Sequence, residues 1–466
     1  MADFTTYEGV IAFAKQILIS FAQNSKVAIF NDPNNQILTI KGKETAIREV
    51  ETAGAGDYTG AWGDGVGNAE IDYKNYYAPY DRGYSASIDS LKEAQSFVEG
   101  AKPSINGVAT EYIKKHLVPE IDSVVLARYA SQVATENVHA NSESGYGVAA
   151  ANIIETLTNI AKDISNAGYD GPIVVFISAT VNAAFQQALL NKNILLNEET
   201  IKRAMTRDEV AEGFGPLEVE FRVRKFNNMI IVPVPDDRMA GKYLMLNGID
   251  DGQQNGGVLP QKNSSAYFDS NIIAIPFDAA YANIRHFVNR LFVPKGTDEA
   301  DYSENIALAN EKLFGVVTLE DCGIKQQGDG YWFQNRCVYG GDIFEKYRAA
   351  CVLVKGATGA QTVAPTKGEF VGPASALTGA DGATSDLKFA FEALNCSGTV
   401  YFTSETTAKA TVDASETLTV PTSGDDLRPY CSPTVTFDAA GTSVITAWAD
   451  SSHTIKLAAV TVTSTG

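Results

Sequence analysis

Four histidines, His116, His139, His286 and His453, are the side chains best suited to proton transfer or zinc ligation near neutral pH. They are so far apart in sequence that a zinc site would have to be assembled from distant elements. Five cysteines, Cys322, Cys337, Cys351, Cys396 and Cys431, show no CxxC pair and no zinc spacing. An odd number cannot pair completely within one chain, and they read as reduced thiols. Cys322, in "LEDCGIK", needs a histidine beside it to act as a nucleophile. The stretch "GDGVGNAE" at 63–70 has the glycines of a phosphate-cradling loop but lacks its Lys-Ser/Thr pair, and reads as a flexible loop. No serine stands in a G-x-S-x-G elbow. "DPNN" (32–35) and "PDDR" (235–238) offer oxygen donors to calcium, yet neither has alternating acids closed by a Glu, so both read as turns. No catalytic set, cofactor site or metal site follows from these residues.

The elements that would position any chemistry come next. The 466 residues suffice for two or three domains, and 45% hydrophobic content with 22 Phe and 20 Tyr describes a globular chain. A formal net charge of −19 argues against a nucleic-acid reader. The N-terminus carries Ile11, Phe13, Ala14, Ile17, Leu18 and Phe21 at helical spacing, interrupted by Lys15 and Gln16. That predicts an amphipathic helix over 8–23 rather than a secretory leader. No stretch has the length of a membrane span, so no membrane partner is expected.

"KVAIF" predicts a short strand, and "QILTIKGKETAI" a second, alternating one. The Gly-rich run after them holds Tyr58 and Trp62. Residues 26–88 therefore read as an extended two-stranded arm without a core of its own, with 26–80 as the loop proper. Residues 104–138 predict a long helix, broken or bent at Pro119. From 150 to 295 helix and strand alternate. "NIIETLTNIAKDISNAG" is a helix stopped by Gly168, "PIVVFIS" a buried strand and "ATVNAAFQQALLNK" a helix. "LEVEFRVRKFNNMIIVPVPDD" is a hairpin with an Asn-Asn turn. "NIIAIPFDAAYANIRHFV" begins as a strand and predicts an Ala-rich helix after it. "NRCVYGGDIFEKYRAACVLVK" returns to strand character around a Gly-Gly turn. Beyond 356, Ser, Thr, Ala and Gly dominate, and short strands separated by turns predict a sandwich.

Several of these stretches carry a resemblance. "YDRGYSASID" (80–89), a helix, and "LVPEID" (117–122) resemble the major capsid proteins of tailed bacteriophages, the HK97-like fold family. The matching residues are Asp81, Arg82, Tyr84, Ile88 and Asp89, then Val118, Pro119, Glu120, Ile121 and Asp122. "ILTIKGKETAIREVETAGAGDYTG" stands where that family has its extended loop. "MIIVPVPDDRM", "SAYFDSNIIAIPFDAAYANIRHFVNRLFVP" and "RCVYGGDIFEKYRAACVLVK" are similar to its later strands. The resemblance spans roughly 1–355. The segment from 366 is similar to immunoglobulin-like modules appended to phage structural proteins.

The resemblance implies an α+β HK97-like fold followed by an all-β domain. Its parts would be an N-terminal arm (1–25), the extended loop (26–80), a peripheral domain with a spine helix (81–149 and 296–355), an axial domain (150–295), a linker (356–365) and an immunoglobulin-like domain (366–466). It implies a non-enzymatic subunit that self-assembles, as hexamers and pentamers, into an icosahedral head in the host cytoplasm and persists in the virion. Its implied partners are a portal, a separate scaffold if one is used, and packaged double-stranded DNA contacted without sequence specificity. The last domain would offer a glycan or cell-surface contact. Lys41, Lys43 and Arg48 would meet acids of a neighbouring subunit, while Tyr58 and Trp62 would bury aromatic surface on it. Asp81, Arg82, Asp89, Pro119, Glu120 and Asp122 would serve the spine junction structurally. No cross-linking Lys–Asn pair is matched. An encapsulin-like compartment would share the implied fold. A non-shell surface adhesin or surface-layer protein would need a secretion leader, and an enzyme would need a convergent catalytic set.

Overall fold

In the computed structural model the described residues are 19–31, 37–41, 44–52, 69–89, 105–204, 218–251, 253–293, 314–318, 330–422 and 426–466. They form an α+β structure with few helices and many strands. They divide into two compact units, Met1–Arg238 with Asn271–Val354, and Met239–Ser270 with Lys355–Gly466.

The first unit opens with helical residues 19–24 and a 3-10 turn at Val27–Phe30. A strand was expected at 26–30. The Asp122 carboxylate takes the N–H groups of Lys26 and Val27, so these donors are not offered to a neighbouring strand. Strands β1 (Ile37–Lys41), β2 (Glu44–Thr52) and β3 (Ala69–Tyr77) form one antiparallel sheet. The expected two-stranded arm thus has a third strand, because 37–47 folds back as its own hairpin. Its last expected stretch, β4 (Tyr80–Asp89), belongs to another sheet.

The long helix is interrupted but not absent. Helix α1 (Ile105–Tyr112) runs through a π turn (Ile113–Leu117) into α2 (Val118–Gln132). Pro119 is the second residue of α2, where its missing N–H is tolerated, and the wider turn before it accommodates the ring.

A seven-stranded sheet follows. Its members are β5 (Val138–Ala140), β6 (Ile173–Ser178), β7 (Asn197–Ala204), β8 (Glu218–Phe226), β9 (Met229–Val234), β12 (Phe268–Pro276) and β16 (Val352–Thr358), in the order 5-16-12-6-9-8-7. Helices α3 (Ile153–Asn166) and α4 (Ala179–Lys192) supply Leu157, Ile160, Ile164, Val181 and Phe185 to a core shared with Val175 and Ile177. Every residue of β6 is buried, because its other face is covered too. There Phe30 lies 5.9 Å from Phe176 and 5.8 Å from Tyr129, ring centre to ring centre. Gly168, with φ of 87°, ends the α3 segment, and Asn227, with φ of 56°, turns the β8–β9 hairpin, as expected.

Strands β13 (Ala280–Val293), β14 (Phe314–Thr318) and β15 (Gly330–Ile343) join β4 in the order 14-13-15-4. Two expectations fail here. The alanines near 280 suggested a helix, but the same stretch is rich in aromatic and β-branched residues and pairs with β15 from Ala280↔Ile343 to Phe292↔Trp332. Gly340–Gly341 does not turn the chain either, since β15 runs straight through it.

The second unit takes residues 239–270 out of the segment expected to be one axial domain. They carry a short hairpin, β10 (Tyr243–Met245) and β11 (Val258–Pro260). The rest is all strand and turn: β17 (Gly368–Phe370), β18 (Thr378–Gly379), β19 (Thr384–Asp386), β20 (Phe389–Phe391), β21 (Thr399–Ser404), β22 (Ala410–Val412), β23 (Ser415–Thr417), β24 (Tyr430–Cys431), β25 (Thr434–Phe437), β26 (Gly441–Trp448) and β27 (Lys456–Ser464). Sheets 17-20-24, 18-27-26-21-23 and 19-25-22 enclose one core around Phe389, Phe391, Phe402 and Phe437. Cys396 and Cys431 are free and buried in it, and burial pushes the Cys396 thiol up to about 12.

The 356–365 segment has a linker's composition but not a linker's freedom. Gly359 N–H donates to Tyr267 O at 2.8 Å, Gln361 N–H to Lys262 O at 2.8 Å, and Ser397 N–H to Val363 O at 2.9 Å. Asn263 Nδ2 donates to the carbonyls of Leu394 and Cys396. Arg428, 7% exposed, completes the tie. Its guanidinium binds Asp426 through two 3.0 Å contacts, Glu369 at 2.5 Å, and Asp251 of the inserted segment at 3.5 Å.

The Arg428 hydrogen bond holds the Asp426 carboxyl below its usual range, against the opposing effect of burial. A lowered folded pKa gives stability that is present above the unfolded value and lost as pH falls through the folded one. Arg428→Ala should therefore destabilise the second unit at pH 7, by about 1 kcal/mol, since its acid partners are 43–71% exposed and solvent screens them. The gap to wild type in calorimetry should narrow as pH falls below about 4. A gap unchanged down to pH 2 contradicts this account.

Candidate functional site

The residues singled out by sequence at 81–82 and 119–122 meet where α2 crosses β4 and β15. Strand β4 pairs with β15 in unbroken register from Tyr80↔Tyr339 to Asp89↔Gly330. Asp81 receives Arg336 through two bonds of 2.9 and 2.7 Å across that pairing. Arg82 Nε donates to Glu120 Oε1 at 2.8 Å, and Tyr339 OH donates to the same oxygen at 2.6 Å. One carboxylate on α2 thus holds both strands. Ring stacking extends the contact, with Tyr80 on Tyr339 at 5.4 Å and Tyr84 on Tyr112 at 3.8 Å.

Asp122 faces another way and is fully buried. Its Oδ1 accepts from Ser25 Oγ at 2.7 Å, Lys26 N at 3.0 Å and Val27 N at 3.4 Å, and its Oδ2 from Arg238 Nη1 at 3.2 Å. Burial pushes the Asp122 carboxyl above its ordinary range, and these donors oppose that push. The result is a seat for residues 25–27 on the helix.

Further along α2 three more side chains reach β13 and β15. Arg128 pairs with Asp342 and donates from Nε to Gly341 O at 3.0 Å. Tyr129 OH donates to Tyr281 O at 2.9 Å. Gln132 uses both ends of its amide: Nε2 donates to Asp342 Oδ1 at 2.6 Å, and Oε1 accepts from Ile343 N at 2.7 Å. The helix can come this close because β15 presents glycine. A Cβ on Gly341 would stand 2.6 Å from Val125 Cγ1 and 3.1 Å from Tyr129 OH, and one on Gly340 would stand 3.0 Å from Ala78 Cα.

The other singled-out residues fall elsewhere. Asp89 ends β4, roughly 24 Å along the strand from Arg82, so it does not join the cluster. Lys41 ends β1, and Arg48 lies in β2 opposite Tyr73. Lys43, Tyr58 and Trp62 lie outside the described residues, as does Cys322. Sequence reasoning did not single out Ser25, Arg238, Arg128, Gln132 or Asp342. The Gly-Gly pair inside a strand pattern was the one available signal, since glycine there marks close backbone approach.

The chemistry open to this cluster is holding. Burial, then the Glu120 carboxylate, push the Tyr339 and Tyr112 phenols and the Cys337 thiol above their ordinary ranges, so all three stay protonated. Among the described residues no group of three or more His, Cys, Asp or Glu is placed to hold a metal ion, and no helix is long and apolar enough to cross a membrane. A cavity of about 910 Å³ lies between residues 19–29 and the β8–β9 pair. Ser25 is the one hydroxyl on its described lining, and that hydroxyl is committed to Asp122.

No protein-family model matches the chain, and no curated protein matches it. Solved structures do. The capsid structure of the cyanophage P-SCSP1u aligns at a TM-score of 0.38 and 11% identity, covering 69% of this chain and 85% of that one. The mature capsid of bacteriophage PhiM1 aligns at 0.37 and 10%, covering 72% and 86%. A virus-like particle from Pyrococcus furiosus aligns at 0.35 and 12%, covering 73% and 96%. At these values the likenesses do not set the function, which has to be read from the chain's own residues.

Asp122→Ala should leave several buried donors without an acceptor and cost roughly 3–5 kcal/mol in urea unfolding. Gly341→Ala should cost roughly 1–3 kcal/mol through its clash with Val125, and Val125→Ala in the same chain should recover part of that loss. Strictly additive losses in the double variant would show that the contact is not close.

Proposed function

We propose that this chain is the major shell subunit of a bacteriophage head, built on an HK97-like fold and carrying an immunoglobulin-like C-terminal domain. One observation carries the reading. The stretches 80–89, 117–122 and 336–343 that bear the resemblance are scattered over more than half the chain, yet they converge at the Arg82–Glu120–Tyr339 node. A resemblance carried by unrelated short matches has no reason to assemble into one rigid piece.

The β1–β3 sheet supports the same reading. It is anchored at its base, where Tyr76 packs on Tyr281 and Phe344 and Lys74 pairs with Glu345 at 2.6 Å. Ile71, farther out, is 55% exposed, and Tyr77, next to Tyr76 at the base, is 52% exposed. A long ribbon with exposed apolar residues suits a lap over an adjacent subunit. In this reading Lys41, Lys43 and Arg48 meet that neighbour's acids, and Tyr58 and Trp62 cover its surface. The copies form hexamers and pentamers of a closed icosahedral head around double-stranded DNA, with a portal at one vertex and a scaffold, if used, from a separate chain. The subunit is not an enzyme: its buried carboxylates hold structure. The second unit lies outside the shell wall, where it contacts glycans or a cell surface.

Microscopy of the purified chain tests the reading, with closed polyhedral particles expected. Monomers or open sheets under all conditions overturn it. The double variant Tyr58→Ala/Trp62→Ala should keep its fold by circular dichroism and lose more than about 1 kcal/mol per contact in shell stability. Particles as stable as wild type would remove the lap contact from the proposal.

A further inference from the structure

The two faces of the five-stranded sheet in the second unit differ in kind. Inward, Phe402 of β21 and Ala447 of β26 stand opposite each other, and both belong to the core. One residue along, Tyr401 and Trp448 stand opposite each other and face outward, because successive residues of a strand alternate. On the far side of Trp448, β27 brings up Lys456, and on the far side of Tyr401, β23 brings up Ser415. One row across four strands therefore reads lysine, tryptophan, tyrosine, serine. Lys456 and Ser415 are exposed, and both aromatic residues are partly exposed.

The indole is not free to swing. Its Nε1–H donates to Thr403 Oγ1 at 2.8 Å, two residues along the neighbouring strand. That bond lays the ring along the sheet and engages its one polar group, so what remains outward is the π face. His453 stands beside it, with ring centres 5.8 Å apart. It is held there with φ of 53°, in a loop that the Asp450 carboxylate closes by accepting from Thr454 N at 3.0 Å, Ile455 N at 2.8 Å and Thr454 Oγ1 at 2.8 Å. The next rows of the same face are hydroxyl-bearing, Thr399 opposite Thr417 and Thr403 opposite Thr446. Glu416 pairs with the buried Val400 and so alternates to the other face.

We propose that Tyr401 and Trp448, with Lys456 and His453 at their edges, form a binding platform for a glycan. A pyranose ring has an apolar C–H face and a rim of hydroxyls. The C–H face stacks on an indole or phenol ring, and the rim exchanges hydrogen bonds with threonine hydroxyls, a lysine ammonium and an imidazole. An added peptide strand fits poorly, since β21 and β26 are interior strands of their sheet and present no free backbone edge. A nucleic acid stacked on the rings would find one lysine for its phosphates, in a chain of net charge −19. The proposal rests on the reading of the second unit as the glycan-contacting part of a shell subunit and gives that contact its residues.

The test uses the full chain on a printed array of oligosaccharides built from neutral hexoses, N-acetylhexosamines and uronates, with spotted oligonucleotides beside them. Titration calorimetry follows for each sugar retained. The wild type should retain at least one oligosaccharide. Trp448→Ala and Tyr401→Ala should each weaken it roughly tenfold or more. Thr403→Val, which releases the indole without removing it, should weaken it less than Trp448→Ala does. Circular dichroism and melting check each fold, and Tyr401→Ala with Lys456→Ala carries the test if Trp448→Ala fails to fold. Retention of no oligosaccharide, retention of oligonucleotides in their place, or wild-type affinity in a folded variant overturns the platform. Closed particles from a wild-type chain that retains no sugar leave the shell reading standing. Sugar binding that survives loss of both rings places the glycan contact elsewhere on the chain.

Discussion

Helix α2 lies so close to strand β15 that position 341 has no room for a side chain. Most of the first unit's long-range order depends on that approach. Short polar reaches become possible: Arg128 and Gln132 meet the backbone and side chains of 341–343, and Tyr129 finds a carbonyl on β13. With the helix fixed, Glu120 stands where β4 can deliver Arg82. Asp122, two residues on, points to the other side and seats the segment that places Phe30 between α2 and the seven-stranded sheet. One steric allowance thus connects four segments that are remote in sequence.

Buried acids at such a junction resemble a catalytic site only by composition. Catalysis by a carboxylate needs an open face toward a substrate and a proton to exchange. Glu120 and Asp122 have 7% and 0% exposure, and Glu120 Oε1 and both Asp122 oxygens are occupied by donors from the chain itself. The groups flanking Glu120 are held protonated by burial and by its charge. A buried carboxylate with this many partners fixes geometry, because moving any one donor leaves an ion uncompensated in a poor solvent.

Sequence made the local pieces legible where one force dominated. The continuous apolar run of β6, the Asn-Asn hairpin and the helix ended at Gly168 were readable from pattern and turn chemistry alone. The 280–293 strand was not, because alanine content favours a helix while the pairing that decides the outcome lies near 332–343. The 3-10 turn at 27–30 was hidden for the same reason, its donors being claimed by a residue about 95 positions away. The junction's carboxylates were found through resemblance, but their partners Ser25, Arg238 and Tyr339 were not, since nothing local marks a side chain as someone else's ligand. The second unit shows the same limit. Composition placed a boundary near 356, yet residues 239–270 join that unit by backbone bonds to Gly359 and Gln361 that no composition signals.

A shell subunit, as proposed for this chain, would have to reconcile stiffness with repeated self-contact. The α2–β15 junction supplies stiffness through buried polar bonds, which are directional and fix one geometry. Self-contact cannot be built the same way, because a chain at −19 meets its copies with net repulsion and exposed ion pairs are screened by salt. It has to come from apolar surface left uncovered by the fold. Among the described residues the large exposed aliphatics and aromatics of the first unit are Ile71, Tyr77, Leu190 and Leu195. They occur on just two features, the β1–β3 ribbon and the turn after α4, and neither lies at the rigid junction. In the proposed shell such uncovered apolar surface is what could adapt between neighbours, while the keyed helix and strand hold one shape through their buried polar bonds.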